Sequence, residues 1–444
     1  MKRLNLLNRN MRTPLLVIWL LFVSSILFGQ QKWTLEQCLE HAKVENIQVQ
    51  QRLIQAENAK INLQQSKQNL LPDLNMYVGQ SFSFGRSIDE TNTYQNNNVQ
   101  NTNFSLSSSL NLYDGGRMFY AIEKSKLDFQ ALLLDVEQEK STIELQVLLH
   151  YFQVSYAKKQ VELAENQYAL TSNQLEKTKA LIDAGRLPEG EIYQVKAQLS
   201  QEELAILQAK HEVNNLLMQF AQLLLIDDVD SFDIEDVEIV AREEYLLPMF
   251  ENVYTSTIAT MPSIRAEQLR LESANQQVRI EKSAYYPRLS MGASYGNGYY
   301  NAENRLNLPF SEQWQQNQNI AVTLNLQIPI FNKMSVINRV KQSELAVKSQ
   351  ELVAKNTKIQ LRQELQQAYL LTVAAKEKIS VSENNVRAMQ KSFDYQTEKF
   401  DSGVSTIYEY NEAKNALTKA LSNQTQAMFE FLFRSKAIEL YMGK

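Results

Sequence analysis

Two stretches of this sequence contain neither glycine nor proline over a length that few folds accommodate. They run from Met118 to Ala184 and from Ser335 to Ser402. The whole chain has only 12 glycines and 8 prolines in 444 residues, and a chain so poor in turn-forming residues cannot hold many short elements. A hydrophobic fraction of 44% excludes a disordered chain. We therefore expect a few very long helices rather than a sandwich, a propeller or a doubly wound nucleotide fold.

Apolar residues recur every seven positions within these stretches. Val147, Val154 and Val161 begin such a series in the first stretch, and the second stretch repeats the period. A sustained heptad pattern predicts helices that supercoil left-handed around their neighbours. At 1.5 Å per residue, a helix of about 65 residues is roughly 100 Å long. Each stretch ends at a glycine, Gly185 or Gly403, which predicts two helical hairpins with a left-handed residue at each tip.

The sequence contains an internal duplication. Leu71–Leu74 and Tyr286–Leu289 each lie between a helical stretch and an alternating stretch, and both contain a central proline, 215 positions apart. Further along, the offset becomes 218 and aligns Gly185 with Gly403. An insertion of three residues in a polar loop accounts for the change. A unit of about 200 residues is therefore present twice, which is far longer than a solenoid repeat.

The duplication predicts the domain organisation. Residues 31–226 form the first repeat, residues 227–250 a linker, and residues 251–444 the second repeat, each repeat holding a helix, two strands and a long hairpin. Residues 1–30 have a basic start, a short apolar core and a small-residue exit, which is typical of a cleaved secretory signal peptide. Without it, 41 Lys and Arg face 50 Asp and Glu, a net charge near −9 that argues against nucleic acid as a partner.

Each repeat contains two segments in which apolar and small polar residues alternate. Their length of about ten residues suits tilted, membrane-crossing strands. The polar and aromatic stretches Arg86–Thr102 and Asn297–Asn319 are expected to be the loops within each pair. The four segments run from Leu74 to Phe84, from Phe104 to Leu112, from Leu289 to Tyr295 and from Ile320 to Ile330.

Four strands cannot close a barrel, because about eight is the small end of the range. After the signal peptide no apolar run of about 18 residues exists, so any membrane span must be made of strands. An open sheet edge in lipid would leave backbone groups unpaired, and several protomers must then share one barrel. The alternative is a small soluble sheet with one buried face.

Four short sequence motifs resemble motifs of the TolC-like outer-membrane efflux protein family. They are Trp33–Leu39, Leu71–Leu74, Leu112–Arg117 and Ile328–Asn332, in the family's order and within a duplication. The resemblance implies an α+β membrane protein, in which a homotrimer builds a 12-stranded outer-membrane β-barrel. That barrel continues into a long α-helical coiled-coil barrel in the periplasm of a Gram-negative bacterium.

The resemblance also implies functional positions. Glycines at the hairpin tips dock into a periplasmic adaptor protein, and acidic rings near the tips narrow the pore. Ser405 stands where a gating arginine is often found. For the two carboxylates, an exposed helix start that favours negative charge is an equally open interpretation. The docking positions are Gly185, Arg186, Gly403 and Val404, and the ring positions are Glu409 and Glu412.

The function that follows is a passive exit duct of a tripartite efflux system, set in outer-membrane lipid and energised by an inner-membrane pump through the adaptor. The alternatives are the outlet of a type I protein-secretion system and, in another class, a periplasmic coiled-coil interaction protein. The three histidines are widely separated and Cys38 is the single cysteine, so we expect no enzyme, no cofactor, no metal site and no internal disulfide. We expect Cys38 to pack inside a helix.

Overall fold

The computed structural model describes residues 32–88, 92–237, 247–303 and 306–443. The signal peptide predicted at residues 1–30 and part of the predicted linker, residues 238–246, lie outside the described residues. The helices are α1 (Leu35–Glu45), α2 (Ile47–Gln68), α3 (Arg117–Asp183), α4 (Glu191–Leu224), α5 (Phe250–Thr260), α6 (Pro262–Ser283), α7 (Phe310–Gln316), α8 (Ser335–Asp401) and α9 (Ile407–Tyr441). The strands are β1 (Asn75–Ser83), β2 (Arg86–Ile88), β3 (Tyr94–Asn96), β4 (Val99–Tyr113), β5 (Arg288–Ala302) and β6 (Asn319–Gln327).

The two glycine-free stretches form the two longest helices of the described chain. Helices α3 and α8 each have 67 residues, which confirms the prediction of very long helices. Each leads into a second long helix, α4 or α9, so each repeat ends in a helical hairpin. None of the helices in the described ranges combines the length and apolar character that a membrane crossing requires.

The four long strands form one antiparallel sheet in the order β1-β4-β5-β6. Its hydrogen-bond register is the same in the two strand pairs that the predicted duplication relates. Asn75 pairs with Ser107 in the first repeat, and their equivalents at offsets of 215 and 218, Ser290 and Asn325, pair with each other in the second. Strands β2 and β3 form a separate two-stranded ladder.

Three of the predicted strand ends were wrong. Leu74 and Phe84 lie one residue outside β1, and Ile330 lies three residues beyond the end of β6. Pro329 lacks a backbone donor, so the ladder cannot continue through it. Gly85, with a φ of 143°, turns the chain directly after Phe84. The predicted strand residues Phe104, Leu112, Leu289, Tyr295 and Ile320 all lie within strands.

The two predicted loops contain regular structure. The first includes β2, β3 and the beginning of β4, and the second includes the last residues of β5 and the short helix α7. Side-chain amides hold the second one in place. Gln313 of α7 accepts a hydrogen bond from the backbone N–H of Tyr300 at 2.8 Å and donates to the carbonyl of the same residue at 2.8 Å. Asn307 bonds both backbone groups of Ala302 in the same way, so side chains bond the backbone of β5 beyond the point where its pairing with β6 ends.

The described chain divides into two compact units, and each combines segments of both repeats. One unit consists of the described residues of Met1–Gln51, Gln138–Met261 and Leu361–Lys444. It is helical, with a core in which Phe152 and Phe429 meet edge to face. The other unit consists of the described residues of Arg52–Glu137 and Pro262–Gln360 and contains the sheet.

The first described residues are held in the helical unit by backbone pairing with residues just before the predicted linker's undescribed part. Trp33 forms a parallel bridge with Ile234, and Lys158 donates to the carbonyl of Ile234 at 2.7 Å. Lys158 also pairs with Asp233 at 2.6 Å. Cys38 is fully buried in α1, as predicted, and burial raises the pKa of its thiol to about 12. It is therefore an inert core residue at neutral pH.

Both repeats use two consecutive left-handed residues where the strand pair joins the long helix. In the first repeat they are Gly115 and Gly116, with φ of 70° and 83°. A Cβ atom at Gly115 would lie 2.6 Å from the carbonyl oxygen of Ser283, so only glycine fits there. The second repeat places Lys333 and Met334 at the equivalent positions, with φ of 55° and 64°. Lys333 and Met334 adopt this left-handed backbone conformation at an energetic cost that glycine does not have.

Candidate functional site

The first hairpin tip follows directly from Gly185. Its φ is 71°, as the sequence predicted, and its N–H donates to the carbonyl of Ile182 at 2.8 Å. The N–H of Arg186 donates to the carbonyl of Leu181 at 2.8 Å. Both bonds together are the Schellman ending of a helix, which satisfies the last carbonyls of α3. Pro188 lies before α4, in the tight turn that precedes this helix, and its carbonyl accepts the N–H of Glu191 at 3.2 Å.

The second tip repeats the first. Gly403 has a φ of 75° and donates to the carbonyl of Phe400 at 3.0 Å, while Val404 donates to the carbonyl of Lys399 at 2.9 Å. Arg186 and Val404 thus hold the same position after their glycines, and both are exposed. The two turns have the same backbone conformation, but the exposed side chain is a cation, Arg186, at the first and an aliphatic group, Val404, at the second.

The two tips lie against each other within the helical unit. A Cβ atom at Gly403 would lie 3.3 Å from Nη2 of Arg186, whereas a Cβ atom at Gly185 would meet nothing within 4 Å. Lys177 and Asp401 form an exposed ion pair at 3.0 Å beside the tips. Beneath them, a buried cluster joins the hairpins. Its members are Val195, Phe400, Ile407 and Tyr410, with Leu175 and Phe393 packed against them.

Glu409 closes the start of helix α9. Thr406 is the N-cap residue, and the backbone N–H of Thr406 donates to Oε2 of Glu409 at 3.0 Å while the N–H of Glu409 donates to Oγ1 of Thr406 at 3.3 Å. This reciprocal arrangement is a capping box. Ser405 also donates to Oε2 of Glu409, at 2.7 Å. The backbone bond of Thr406 and the hydroxyls of Ser405 and Thr406 hold the pKa of Glu409 below its usual value.

Glu412 lies three residues after Glu409 and is likewise exposed. Positions three apart share one face of a helix, so both carboxylates lie on the same side of the first turns of α9. The bonds that Glu409 accepts from Ser405 and Thr406 all end on its Oε2 atom. The protomer therefore offers two neighbouring acidic groups at this tip.

The sequence reasoning missed a buried ion pair farther along the same helix. Lys414 is fully buried, and its ammonium donates to Oε1 of Glu202 at 2.9 Å and to the hydroxyl of Thr171 at 2.5 Å. Gln198 donates to the same carboxylate oxygen at 2.8 Å. Burial lowers the pKa of Lys414, while Glu202 opposes that shift. The network joins helices α3, α4 and α9.

A signal for this pair was present in the sequence. Lys414 stands in a heptad column with Ile407 and Leu421, and Glu202 stands in a column with Val195 and Leu216. A single charge inside an otherwise apolar heptad column indicates a buried polar contact. The opposite signs of the two charges would then suggest that they are partners.

The sheet has two faces of different chemistry. Side chains alternate along a strand, and paired residues point to the same side. One face is mostly apolar and its outer strands are exposed, with Val78 of β1 and Val322 of β6 at 52% and 68% of full exposure. The other face carries mainly hydroxyl, amide and glycine residues, such as Ser107 and Asn325. Predicted strand residues on the apolar face are Phe104, Leu289, Tyr295 and Ile320.

Two long helical hairpins combined with a sheet of this kind define the TolC-like class of fold. Solved structures support that assignment. The chain aligns with the transmembrane channel protein CusC over 94% of its own length and 95% of the other chain, with a TM-score of 0.77 at 15% identity. It aligns with the outer membrane protein VceC of Vibrio cholerae over 92% and 96%, with a TM-score of 0.76 at 15% identity.

The sequence comparison gives the family. The outer membrane efflux protein family matches residues 38–224 and 253–444, and the chain belongs to this family. The outer membrane efflux protein BepC of Brucella suis is 19% identical over 328 residues, which are 74% of this chain and 69% of BepC. The predicted family, fold class and outer-membrane location with a periplasmic helical part are thereby confirmed. The family and its structural neighbours are channel proteins rather than enzymes.

Proposed function

We propose that this protein is the outer-membrane exit duct of a tripartite efflux system and that it works as a homotrimer. The observation that carries the proposal is the four-stranded sheet with an exposed apolar face, a polar opposite face and outer strands β1 and β6 that each have one neighbour in the described chain. Lipid would cover the apolar face, and water would fill the space along the polar one. Three such sheets joined edge to edge give twelve strands, which is enough to close a barrel.

Contacts within the protomer support a specific helix interface between protomers. Helix α9 packs on α3 through Thr418, whose hydroxyl donates to the side chain of Gln167, and through Ser422, whose hydroxyl donates to Gln160 at 2.9 Å. By the duplication, α4 is the equivalent of α9 and α8 the equivalent of α3. An α4 helix of one protomer should therefore pack on an α8 helix of the next.

The equivalent positions are uncovered in the single protomer. At the offset of 218, Thr418 and Gln167 correspond to Ser200 and Asn385, and both of these are exposed. Leu204 and Val381 lie beside them at 55% and 69% exposure. Exposed apolar residues in a heptad series are expected to be covered by a partner helix, and a second copy of this chain supplies it.

Cysteine cross-linking tests the homotrimer. The variant Ser200→Cys/Asn385→Cys, treated with a short thiol-reactive cross-linker, should give dimer and trimer bands on a denaturing gel. The control variant Thr418→Cys/Gln167→Cys joins two helices of one chain and should remain a monomer band. Cys38 is buried and should not react. If the Ser200→Cys/Asn385→Cys variant also gave only a monomer band, the shared barrel would be contradicted.

The tips are the proposed docking site for the periplasmic adaptor, through Gly185, Arg186, Gly403 and Val404. Both glycines lie at exposed turns, and a side chain would be strained at either one because φ is positive. The Cβ atom of Gly403→Leu would also press on Arg186, whereas the Cβ atom of Gly185→Leu would meet nothing within 4 Å. We expect Gly403→Leu to reduce export of a dye substrate while trimers persist. Export equal to wild type in both glycine variants would rule out the tips as the docking site.

Glu409 and Glu412 are the proposed acidic ring, with six carboxylates in a trimer. The structure suggests testing them separately, because Glu409→Lys breaks the capping box of α9 and also reverses a charge. Glu412→Lys reverses a charge without touching the capping box and should weaken block of the channel by divalent cations in planar bilayers. Glu412→Gln should have a smaller effect in the same direction. Unchanged block in Glu412→Lys would reject the ring.

A further inference from the structure

Arg288 is the single charged residue in the four strands of the described sheet. It lies at the start of β5, is exposed, and pairs with Gln327 of β6. Since Ser290 and Asn325 pair two residues further along and both belong to the polar face, Arg288 lies on that face as well. The remaining polar-face residues of the four strands are uncharged, so Arg288 is the single cation on this face of the strands.

Asp73 occupies the equivalent position in the first repeat. When the motifs Leu71–Leu74 and Tyr286–Leu289 are aligned at the offset of 215, Asp73 corresponds to Arg288. Asp73 lies two residues before β1 and is bonded to β4, because its N–H donates to the carbonyl of Ser109 at 3.2 Å. Its carboxylate accepts the hydroxyl of Ser109 at 2.9 Å, which places it on the polar face too. Asp114 and Arg117 line the recess beside Asp73, and the Asp114 carboxylate accepts the N–H of Met118 at 3.4 Å.

We propose that Asp73 and Arg288 form a collar of six alternating charges at the helix-proximal end of the polar lumen and set its ion selectivity. The inference rests on the proposed homotrimer. A trimer contains three Asp73 and three Arg288 side chains. Because Asp73 and Arg288 are equivalent in the duplication, these six side chains occupy equivalent positions around the barrel. The collar is neutral as a whole, so in the wild type it favours neither sign of charge, and removal of either member gives this end of the lumen a net charge.

The size of the effect follows from the barrel geometry. Twelve strands about 4.8 Å apart and tilted by about 40° give a radius of roughly 12 Å. Three unpaired charges at that distance change the counter-ion concentration on the axis about threefold at 0.01 M salt. The change falls to about twofold or less at 0.1 M and vanishes at 1 M, because the screening length shortens from about 30 Å to about 3 Å.

Reversal potentials in planar bilayers under a KCl gradient test the collar. Arg288→Gln should shift the permeability ratio toward K⁺ by up to about ninefold at low salt, because the same potential raises K⁺ and lowers Cl⁻ by about threefold each. Asp73→Asn should shift the ratio by a similar factor toward Cl⁻. Arg288→Lys keeps the charge and should match the wild type. The double variant Asp73→Asn/Arg288→Gln is neutral again and should return to the wild-type ratio.

The outcomes separate the collar from the function on which it rests. Conducting channels whose reversal potential is unchanged in Arg288→Gln would overturn the collar and leave the duct intact. A shift of the same size in Arg288→Lys would also overturn it, because charge would then not be the cause. A purified wild-type protein that forms no channels would overturn the proposed duct and the collar together.

Discussion

Replacement of Lys414 by methionine is expected to destabilise the helical unit strongly. Lys414 is fully buried and donates to Glu202, whose side chain is 7% exposed. In Lys414→Met the carboxylate keeps the amide bond from Gln198 but loses its counter-charge. A buried carboxylate without a partner charge is far more costly than a missing hydrogen bond.

The magnitude follows from the burial of both partners. Removal of one member of a buried ion pair costs about 3–5 kcal/mol. Unfolding entropy of about 2.1 cal/mol/K per residue gives about 0.9 kcal/mol/K for a chain of 444 residues. Lys414→Met should therefore lower the melting temperature by about 3–5 °C. The double variant Lys414→Met/Glu202→Leu removes both charges and should melt close to the wild type, because an apolar pair can replace a buried ion pair at little cost.

Circular dichroism at 222 nm in detergent, at one scan rate and protein concentration, measures these shifts. Lys419→Met, which removes an exposed lysine of the same helix, should change the melting temperature by less than about 1 °C. The folded-state pKa of Lys414 lies below its usual 10.5, so unfolding takes up protons as pH rises toward 10.5. Wild type should then gain stability relative to Lys414→Met over that range. Equal melting of the single and double variants would refute the argument.

Two further predictions concern the helix ends. The pKa of Glu409 is held below its ordinary 4.5 by the Thr406 backbone and the neighbouring hydroxyls, so its contribution is present above pH 4.5 and is lost as pH falls through the lowered pKa. Hydrogen exchange in the first turn of α9 should accelerate in that acidic range, and Glu409→Gln, measured alongside, should remove the pH dependence. Gly115→Ala should lower the melting temperature by at least about 1–2 °C through left-handed strain and its contact with Ser283. Lys333→Gly, at the equivalent position, should not lower it, and a loss as large as that of Gly115→Ala would contradict the strain argument.

Features that repeat along the chain could be predicted, because each follows from local chemistry. Glycine scarcity and the heptad period predicted α3 and α8, and the glycines at 185 and 403 predicted the left-handed tips. Loop structure could not be predicted in this way. The amide of Gln313 holds α7 to Tyr300, and Asn307 bonds Ala302 beyond the end of the pairing between β5 and β6. Such contacts depend on which side chains meet across a turn, and periodicity carries no information about that.

Charge was the property that the duplication predicted least well. It aligned Lys196 with Lys414, yet Lys196 is exposed in the protomer and Lys414 is buried. The difference follows from the partners, because Glu202 of α4 has Ala420 as its equivalent in α9. Two repeats with one backbone have thus acquired different electrostatics. A charged position therefore has to be assigned from its own contacts rather than copied from the other repeat.

The same reasoning gives the sharpest test of the alternating collar. In the exchange variant Asp73→Arg/Arg288→Asp the six charges still alternate, so the reversal potential should equal that of the wild type. The single variant Asp73→Arg places six cations around the lumen and should favour Cl⁻ more strongly than Asp73→Asn does. Loss of the Ser109 contact should lower the melting temperature of the exchange variant without altering its selectivity. If its selectivity instead follows Asp73→Arg, the local partners Ser109 and Gln327 rather than the alternation determine the field in the lumen.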